Sequence, residues 1–288
     1  MKNTSFIDYR YRKDRWGRNI ILVFVQLFMI LYVILVFYPL FNMIISSLKS
    51  TREIFANPFG FPEEWLFENY RTVWVVRGFG RYFTNSLTVT LISMIFVLLL
   101  GSMASYGVSR YKYKLRTWLY MLFLSGIMLP LKMAIIPLFI LIRSLGLMDN
   151  HISIITIFIA MGLPSTVFIL SGFMKTIPMD LEYAARIDGC NEWGIYQRIV
   201  MPITKSAIAL VTIYNAVPIW NDFFFPLVFI QSNHLRTLPV GLSTFIGQHG
   251  TNWSLLFTGL SISIMPMLIL YIFMAKYFIR GMTAGAIK

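Results

Sequence analysis

Six apolar runs, each long enough to cross a bilayer as a helix, constrain this chain more than anything else in it. They fall at about Asn19–Ile45, Tyr82–Gly107, Trp118–Ile142, Ile152–Met174, Ser206–Phe229 and Leu255–Met274. A helical crossing needs roughly 20 apolar residues. With 57% hydrophobic and only 13% charged residues among 288, the chain holds more apolar surface than a soluble core of this length can bury. The runs are continuous rather than alternating, which argues against a β-barrel. The fold class expected is therefore all-α: a polytopic membrane protein with six transmembrane helices. Residues 1–18 would form a polar N-terminal segment, 19–279 the six-helix domain and 280–288 a tail. The first run is too long for the core of a cleaved signal peptide, so it stays as the first helix.

Orientation follows from the basic residues. Lys2, Arg10, Arg12, Lys13, Arg15 and Arg18 precede the first run, and Arg110, Lys112, Lys114 and Arg116 crowd the loop after the second. Four more bases lie between the fourth and fifth runs and three at the C-terminus. The opposite side carries only Lys49, Arg52, Arg71, Arg77, Arg81, Arg143 and Arg236. Basic excess marks the cytoplasmic face, which puts both termini there. The net charge of +13 is then a topological signal. The bases flank helices and form no aromatic-interleaved groove, so nucleic acid is not an expected partner.

One polar stretch is not explained by the bilayer. The insert 175–205, on the cytoplasmic side, gathers Asp180, Glu182, Asp188 and Glu192 with several bases and reads as two short helices. Pro178 and Asp180 suit a helix N-terminus. Gly189 suits the C-terminal turn, where positive φ is cheap only for glycine. Asn191 can cap a second helix running to about Met201 and stopping at Pro202. Ala184 and Ala185 keep the first helix shallow, so that a partner outside the membrane could approach closely. The expected docking residues are Glu182, Ala184, Ala185, Asp188, Gly189 and Pro202.

The loop 48–81 is too aromatic for a flexible linker; it reads as a compact external cap toward an external partner, or its aromatics anchor it at the membrane interface. Cys190, the single cysteine, excludes an intrachain disulfide and should stay a reduced thiol. His151, His234 and His249 are scattered over external loops without metal-ligand spacing, so no metal or other cofactor is expected. Lys132 and Asp222 lie inside apolar runs, where a charge costs at least ~2.5 kcal/mol unless paired or solvated. They line a polar pathway, or pair with each other or with a partner. Asn215, Trp220 and Asn221 could line the same pathway with hydrogen bonds and a stacking face, or serve as interhelical glue.

The insert resembles the "EAA" loop of the permease subunits of binding-protein-dependent ABC importers, whose pattern is Glu-Ala-Ala, three residues, Gly, nine residues, Ile, one residue, Leu-Pro. Ala184-Ala185, Gly189, Ile199 and Met201-Pro202 keep that register. Tyr183 stands where the pattern has Glu, with Glu182 adjacent, and Met201 replaces Leu. Ser47-Leu-Lys49, Asn69-Tyr70, Asn85-Ser86-Leu87, Tyr106 to Arg110, Trp220-Asn221-Asp222-Phe223 and the tail Gly281 to Lys288 are similar to the maltose-type carbohydrate branch. The resemblance implies a type I importer permease fold with a cytoplasmic coupling helix in the bacterial cytoplasmic membrane. It also implies a second permease subunit, two cytoplasmic ATPase subunits docked on the insert, and an extracellular solute-binding protein that delivers a sugar.

No Gly-x-x-x-x-Gly-Lys-[Ser/Thr] loop occurs, so the chain is expected to take its energy from elsewhere. An ion-coupled secondary transporter using Lys132 and Asp222 as relay is the alternative, but such a carrier has no need of the insert. A membrane hydrolase lacks a His-Glu-x-x-His helix or a Gly-x-Ser-x-Gly elbow.

Overall fold

The computed structural model describes residues 4–247 and 250–286; His249, Lys2 and Lys288 lie outside them. In chain order the helices are α1 (Thr4–Ser46), α2 (Thr51–Ala56), α3 (Glu68–Arg71), α4 (Phe79–Arg110), α5 (Arg116–Met128), α6 (Ile135–Ser144), α7 (His151–Thr176), α8 (Asp180–Ile187), α9 (Glu192–Ile195), α10 (Met201–Ile203), α11 (Lys205–Asn221), α12 (Phe224–Phe229), α13 (Leu238–Leu242) and α14 (Trp253–Ala286). Two-residue strands, β1 (Ile246–Gly247) and β2 (Gly250–Thr251), pair antiparallel with Ile246 opposite Thr251.

Among the described residues four helices carry apolar stretches long enough to span a bilayer: Ile21–Ser46 in α1, all of α4 and α7, and Trp253–Tyr277 in α14. A fifth exists if Glu192–Ile203 and Lys205–Asn221, bent by 75° at their junction, are taken together. The other expected spans are interrupted. The run Trp118–Ile142 is not one helix: α5 stops at Met128, and Leu129 turns extended, with φ −79° and ψ 116°, because the ring of Pro130 disfavours helical backbone in the residue before it. The run Ser206–Phe229 breaks at Asp222, with φ −70° and ψ 121°, where Pro226 has no N–H to return to the Asp222 carbonyl. Asp222 Oδ1 instead accepts the Phe225 N–H at 2.9 Å and caps α12. Both interior charges, Lys132 and Asp222, therefore sit at helix breaks.

The polar segment before the first run joins it without a break, α1 being helical from Thr4, and α14 runs to Ala286. At 1.5 Å per residue the 43-residue α1 exceeds the ~30 Å hydrocarbon core, so its polar first turns extend one continuous helix beyond the apolar stretch.

The chain divides into two compact units. In the smaller, Met1–Tyr70 with Asn252–Ser261, the organising residue is Lys49. It is fully buried, and its Nζ donates to the carbonyls of Asn57 at 2.8 Å and Gly60 at 2.6 Å, folding the intervening loop around it. Asn69 Nδ2 donates to Ser47 O and Ser254 Oγ, each at 2.9 Å. The first part of the expected cap is thus compact, but polar bonds hold it, and Phe55, Phe59 and Phe61 remain exposed.

In the larger unit, Arg71–Thr251 with Ile262–Lys288, α4 packs against α7 through small residues. A Cβ on Gly162 would lie 2.8 Å from Val97 Cγ2, and one on Gly101 would overlap the Thr166 side chain. Close backbone approach of this kind supplies van der Waals packing where lipid removes the hydrophobic drive between helices. Phe158, Phe225 and Phe229 centre one cluster at α7 and α12. A second cluster, with Tyr106, Leu170, Met174, Ile195 and Val200, lies beneath the insert.

Candidate functional site

The insert forms as two helices joined by a glycine turn. α8 ends in a Schellman arrangement: Gly189 has φ +82°, its N–H donates to Arg186 O at 3.1 Å, and the Cys190 N–H reaches back to Ala185 O at 2.9 Å. Asn191 Oδ1 accepts the Gly194 N–H at 2.8 Å and caps α9. The second helix does not stop at Pro202. It widens into a π segment over Tyr196–Val200, with the Met201 N–H bonded to Tyr196 O, which accommodates a proline that cannot donate to an i−4 carbonyl. It then continues to Ile203, with Pro202 exposed in the first turn of α10.

The expected docking residues do not share one face. Ala184, Asp188, Gly189 and Pro202 are exposed, whereas Ala185 is 6% exposed and packs into the cluster beneath the insert, and Glu182 is fully buried. Glu182 and Ala185 are therefore corrected from surface to anchor. The reason is long-range: Arg110, the last residue of α4, places Nε 2.6 Å from Glu182 Oε1 with only 4% of its side chain exposed, and its Nη2 donates to Ile177 O at 3.2 Å. The Arg110–Glu182 contact is a charge pair rather than a well-directed hydrogen bond.

A half-exposed extension of this pair locks α8 to α9. Arg186 lies 3.8 Å from Glu182 and forks onto Glu192, with Nε to Oε1 at 2.8 Å and Nη2 to Oε2 at 3.2 Å. Tyr111 donates to Glu192 Oε2 at 2.8 Å and Tyr106 at 3.3 Å. The Arg186 hydrogen bond holds the Glu192 carboxyl below its ordinary value; desolvation, the next largest effect, opposes it, and the Tyr111 bond adds to the lowering. The same bond raises Arg186. Burial, then the bond to Glu192, raises Tyr111, so its hydroxyl stays a donor.

Opposite the anchor, Leu181, Ala184 and Ile187 form a stripe at every third residue, with Ile187 87% exposed. Tyr183 and Trp193 are exposed beside it. Of this stripe the sequence reading named Ala184 alone as a docking residue; Leu181 and Ile187 become part of the outer face only once Glu182 and Ala185 fix which side of α8 is buried.

Within the larger unit, a cavity of about 560 Å³ opens where the breaks after α5 and α11 face α7. Lys132 Nζ lies 3.6 Å from Asp222 Oδ2, and the two are the only charged residues in its lining among the described residues. Lys132 is also 5.8 Å from the centre of the Phe224 ring. Asn215 lines the cavity, yet its bonds are committed: Nδ2 donates to Thr166 Oγ1 and Val211 O, and Oδ1 accepts from Ser165 Oγ. It is glue between α11 and α7. Trp220 is corrected too. At 2% exposure it offers no stacking face, since Nε1 donates to Ser263 O at 3.0 Å and the ring packs edge-on against Phe83. Asn221 is exposed, bonded to Val217 O, and outside the lining. Tyr214, which sequence reasoning missed, does line the cavity and is 55% exposed; its position directly before Asn215 was the available signal. His151 Nε2–H donates to Leu235 O at 2.7 Å, and no group of three metal-ligating side chains occurs among the described residues.

Comparison with known proteins agrees with this architecture. The probable ABC transporter permease protein YurM of Bacillus subtilis (strain 168) is 35% identical over 264 residues, covering 92% of this chain and 88% of that protein. The arabinooligosaccharides transport system permease protein AraQ of the same organism is 34% identical, covering 91% and 94%. The crystal structure of a bacterial ABC transporter involved in the import of the acidic polysaccharide alginate contains a chain of the same fold, with a TM-score of 0.78 at 22% identity over 91% of this chain and 98% of that one. Residues 97–284 match the profile of the binding-protein-dependent transport system inner membrane components, which takes in the insert and the cavity. The chain belongs to this family, and is a multi-pass permease subunit, a transport component rather than an enzyme.

Proposed function

We propose that this chain pairs with a second permease to form the pathway for a sugar handed over by an extracellular binding protein, and that two cytoplasmic ATPase subunits drive it through the insert. The observation that carries the reading is the two-sided α8: its buried side is joined to α4 through Arg110 and Glu182, while its outer side presents Leu181, Ala184 and Ile187 without a partner among the described residues. A lever needs both a rigid attachment and a free face for the motor. Ala184, Ile187, Asp188, Gly189 and Pro202 are the proposed motor contacts, with Glu182 and Ala185 as their support. The sugar class is supported by the name of the arabinooligosaccharide relative. The basic-residue asymmetry supports cytoplasmic termini. Lys132 and Asp222 are proposed to face the pathway, which opens and closes as the two permeases rock on motor closure.

Reconstitution of the complete importer in proteoliposomes tests this. Uptake of labelled oligosaccharide should require ATP on the motor side and binding protein on the other, and should survive collapse of proton and sodium gradients. Gradient-driven uptake without the ATPases would favour the ion-coupled alternative.

A further inference from the structure

The cavity where the breaks after α5 and α11 face α7 has a balanced charge. Its lining contains one cation and one anion, drawn from two separate helix breaks and held 3.6 Å apart. The partners are not equivalent. Asp222 is almost fully committed, with 9% of its side chain exposed, one oxygen capping α12 and the other turned to Lys132. Lys132 is 61% exposed, and a single ion pair leaves ammonium hydrogens free to donate. The remaining wall is mostly apolar; Tyr214 is part of it and is 55% exposed, with no hydrogen bond to its hydroxyl among the described residues.

We infer that this cavity contacts a neutral, hydroxyl-rich ligand and that the Lys132–Asp222 pair selects against anionic sugars. The inference rests on the reading of the chain as a sugar-importer subunit and deepens it. A hydroxyl group accepts a hydrogen bond from Lys132 without needing the whole charge, and the face of a sugar ring packs against Tyr214 and the apolar wall, the usual division of labour in a small-molecule site. A carboxylate ligand would meet a cation already paired with Asp222 and would face that carboxylate at close range, so like-charge repulsion offsets what Lys132 offers it. A site built for anions presents arginines or lysines without a counter-ion. The alginate importer, whose cargo is an acidic polysaccharide, contains a chain of the same fold, so architecture alone does not set the charge of the cargo.

Asp222→Asn is the clean probe, because asparagine still caps α12 through its side-chain oxygen while the charge disappears. The complete importer in proteoliposomes would be offered short neutral oligosaccharides and uronic-acid oligosaccharides of matched length. Wild type should take up the neutral class and discriminate against uronates. In D222N the uncompensated lysine should slow neutral uptake about tenfold and raise the uronate-to-neutral ratio by a similar factor. Adding Lys132→Gln should restore neutral uptake to within about threefold of wild type. A purely structural defect would lower both classes together and would not be rescued, so that pattern overturns the inference, as would wild-type behaviour of D222N. Preference of the wild-type importer for uronates would also overturn it while leaving sugar import standing. Uptake of neither class by a complex with intact ATP hydrolysis would remove the sugar reading and the inference with it.

Discussion

Arg110 and Glu182 meet at 2.6 Å with 4% and 0% of their side chains exposed, joining the last residue of a membrane-spanning helix to the first turn of the insert. Two charges withdrawn from solvent are expensive unless they stay together, and removing one strands the other at about 3–5 kcal/mol. Glu182→Gln should therefore lower thermal stability in detergent by roughly that amount. The double variant Glu182→Gln with Arg110→Gln should lose less than either charge-stranding change, because no unpaired ion remains. Equal loss in single and double variants would mean that the pair is not coupled.

The two faces of α8 predict opposite consequences for neighbouring substitutions. Ala185→Arg drives a long cation into the cluster around Tyr196 and Val200, so it should reduce the yield of folded protein, overpacking alone costing about 1–3 kcal/mol. Ile187→Asp alters a side chain that is 87% exposed and should leave yield and melting temperature unchanged while weakening ATPase association by at least about tenfold, the loss expected when a buried apolar contact becomes a buried charge. Co-purification of the ATPase with each variant, alongside a melting curve, separates the two outcomes.

Gly189 holds φ +82°, and beyond its two chain neighbours nothing lies within 4 Å of where its Cβ would be. The effect of substitution is then conformational rather than steric crowding. Gly189→Val should cost about 1–2 kcal/mol or more in the turn, and Gly189→Asn less, since asparagine tolerates the left-handed region. ATP-coupled uptake should fall in the order Gly, Asn, Val. Equal uptake in all three would show that the angle between α8 and α9 is not transmitted.

Glu192 ties the insert together through Arg186 and Tyr111, and its pH behaviour has a definite sign. Its carboxyl is held below the ordinary value by the Arg186 hydrogen bond, so its contribution is complete above the unfolded-state carboxylate pKa, about 4.3, and is lost as pH falls through the lower folded value. Tyr111, raised by burial, sets the alkaline side: its contribution is present below about pH 10 and lost as pH rises beyond its folded value. Hydrogen exchange of residues 180–195, corrected for intrinsic rate, should show protection that is flat between these limits and falls at both ends. Glu192→Gln should reduce protection at neutral pH and abolish the acid-side fall. An acid-side fall that persisted in the variant would place its origin elsewhere.

How much of this was readable in the sequence depends on the range of the interaction. Gly189 and Asn191 announced the insert's turn and cap because both act on backbone within a few residues. Helices α4 and α7 were readable because apolar length alone specifies them. The interruptions at Leu129 and Asp222 had a local signal in Pro130 and Pro226, which was outweighed by the continuity of the apolar runs. The buried side of α8 had none, since it is chosen by Arg110, which arrives from a different part of the chain. Asn215 and Trp220 were ambiguous for the same reason: the same side chains serve a ligand or a neighbouring helix, and only Thr166 and Ser263 decide it.

Cys190 offers a test of orientation and docking together. It is the only thiol in the chain, it follows the Gly189 turn directly, and it is half-buried against the cluster beneath the insert. With the insert on the cytoplasmic side, a membrane-impermeant maleimide should leave it unmodified in intact cells and modify it slowly in inverted vesicles stripped of ATPase. Partial burial limits its use as a reporter, so Ile187→Cys in a Cys190→Ser background provides an exposed thiol on the outer face of α8. That thiol should react rapidly in stripped inverted vesicles and be protected by bound ATPase more strongly than Cys190. Labelling of either thiol from outside intact cells would reverse the orientation and remove the motor-docking reading. Rapid labelling of Ile187→Cys with the ATPase bound would keep the orientation but move the contact off this face of α8.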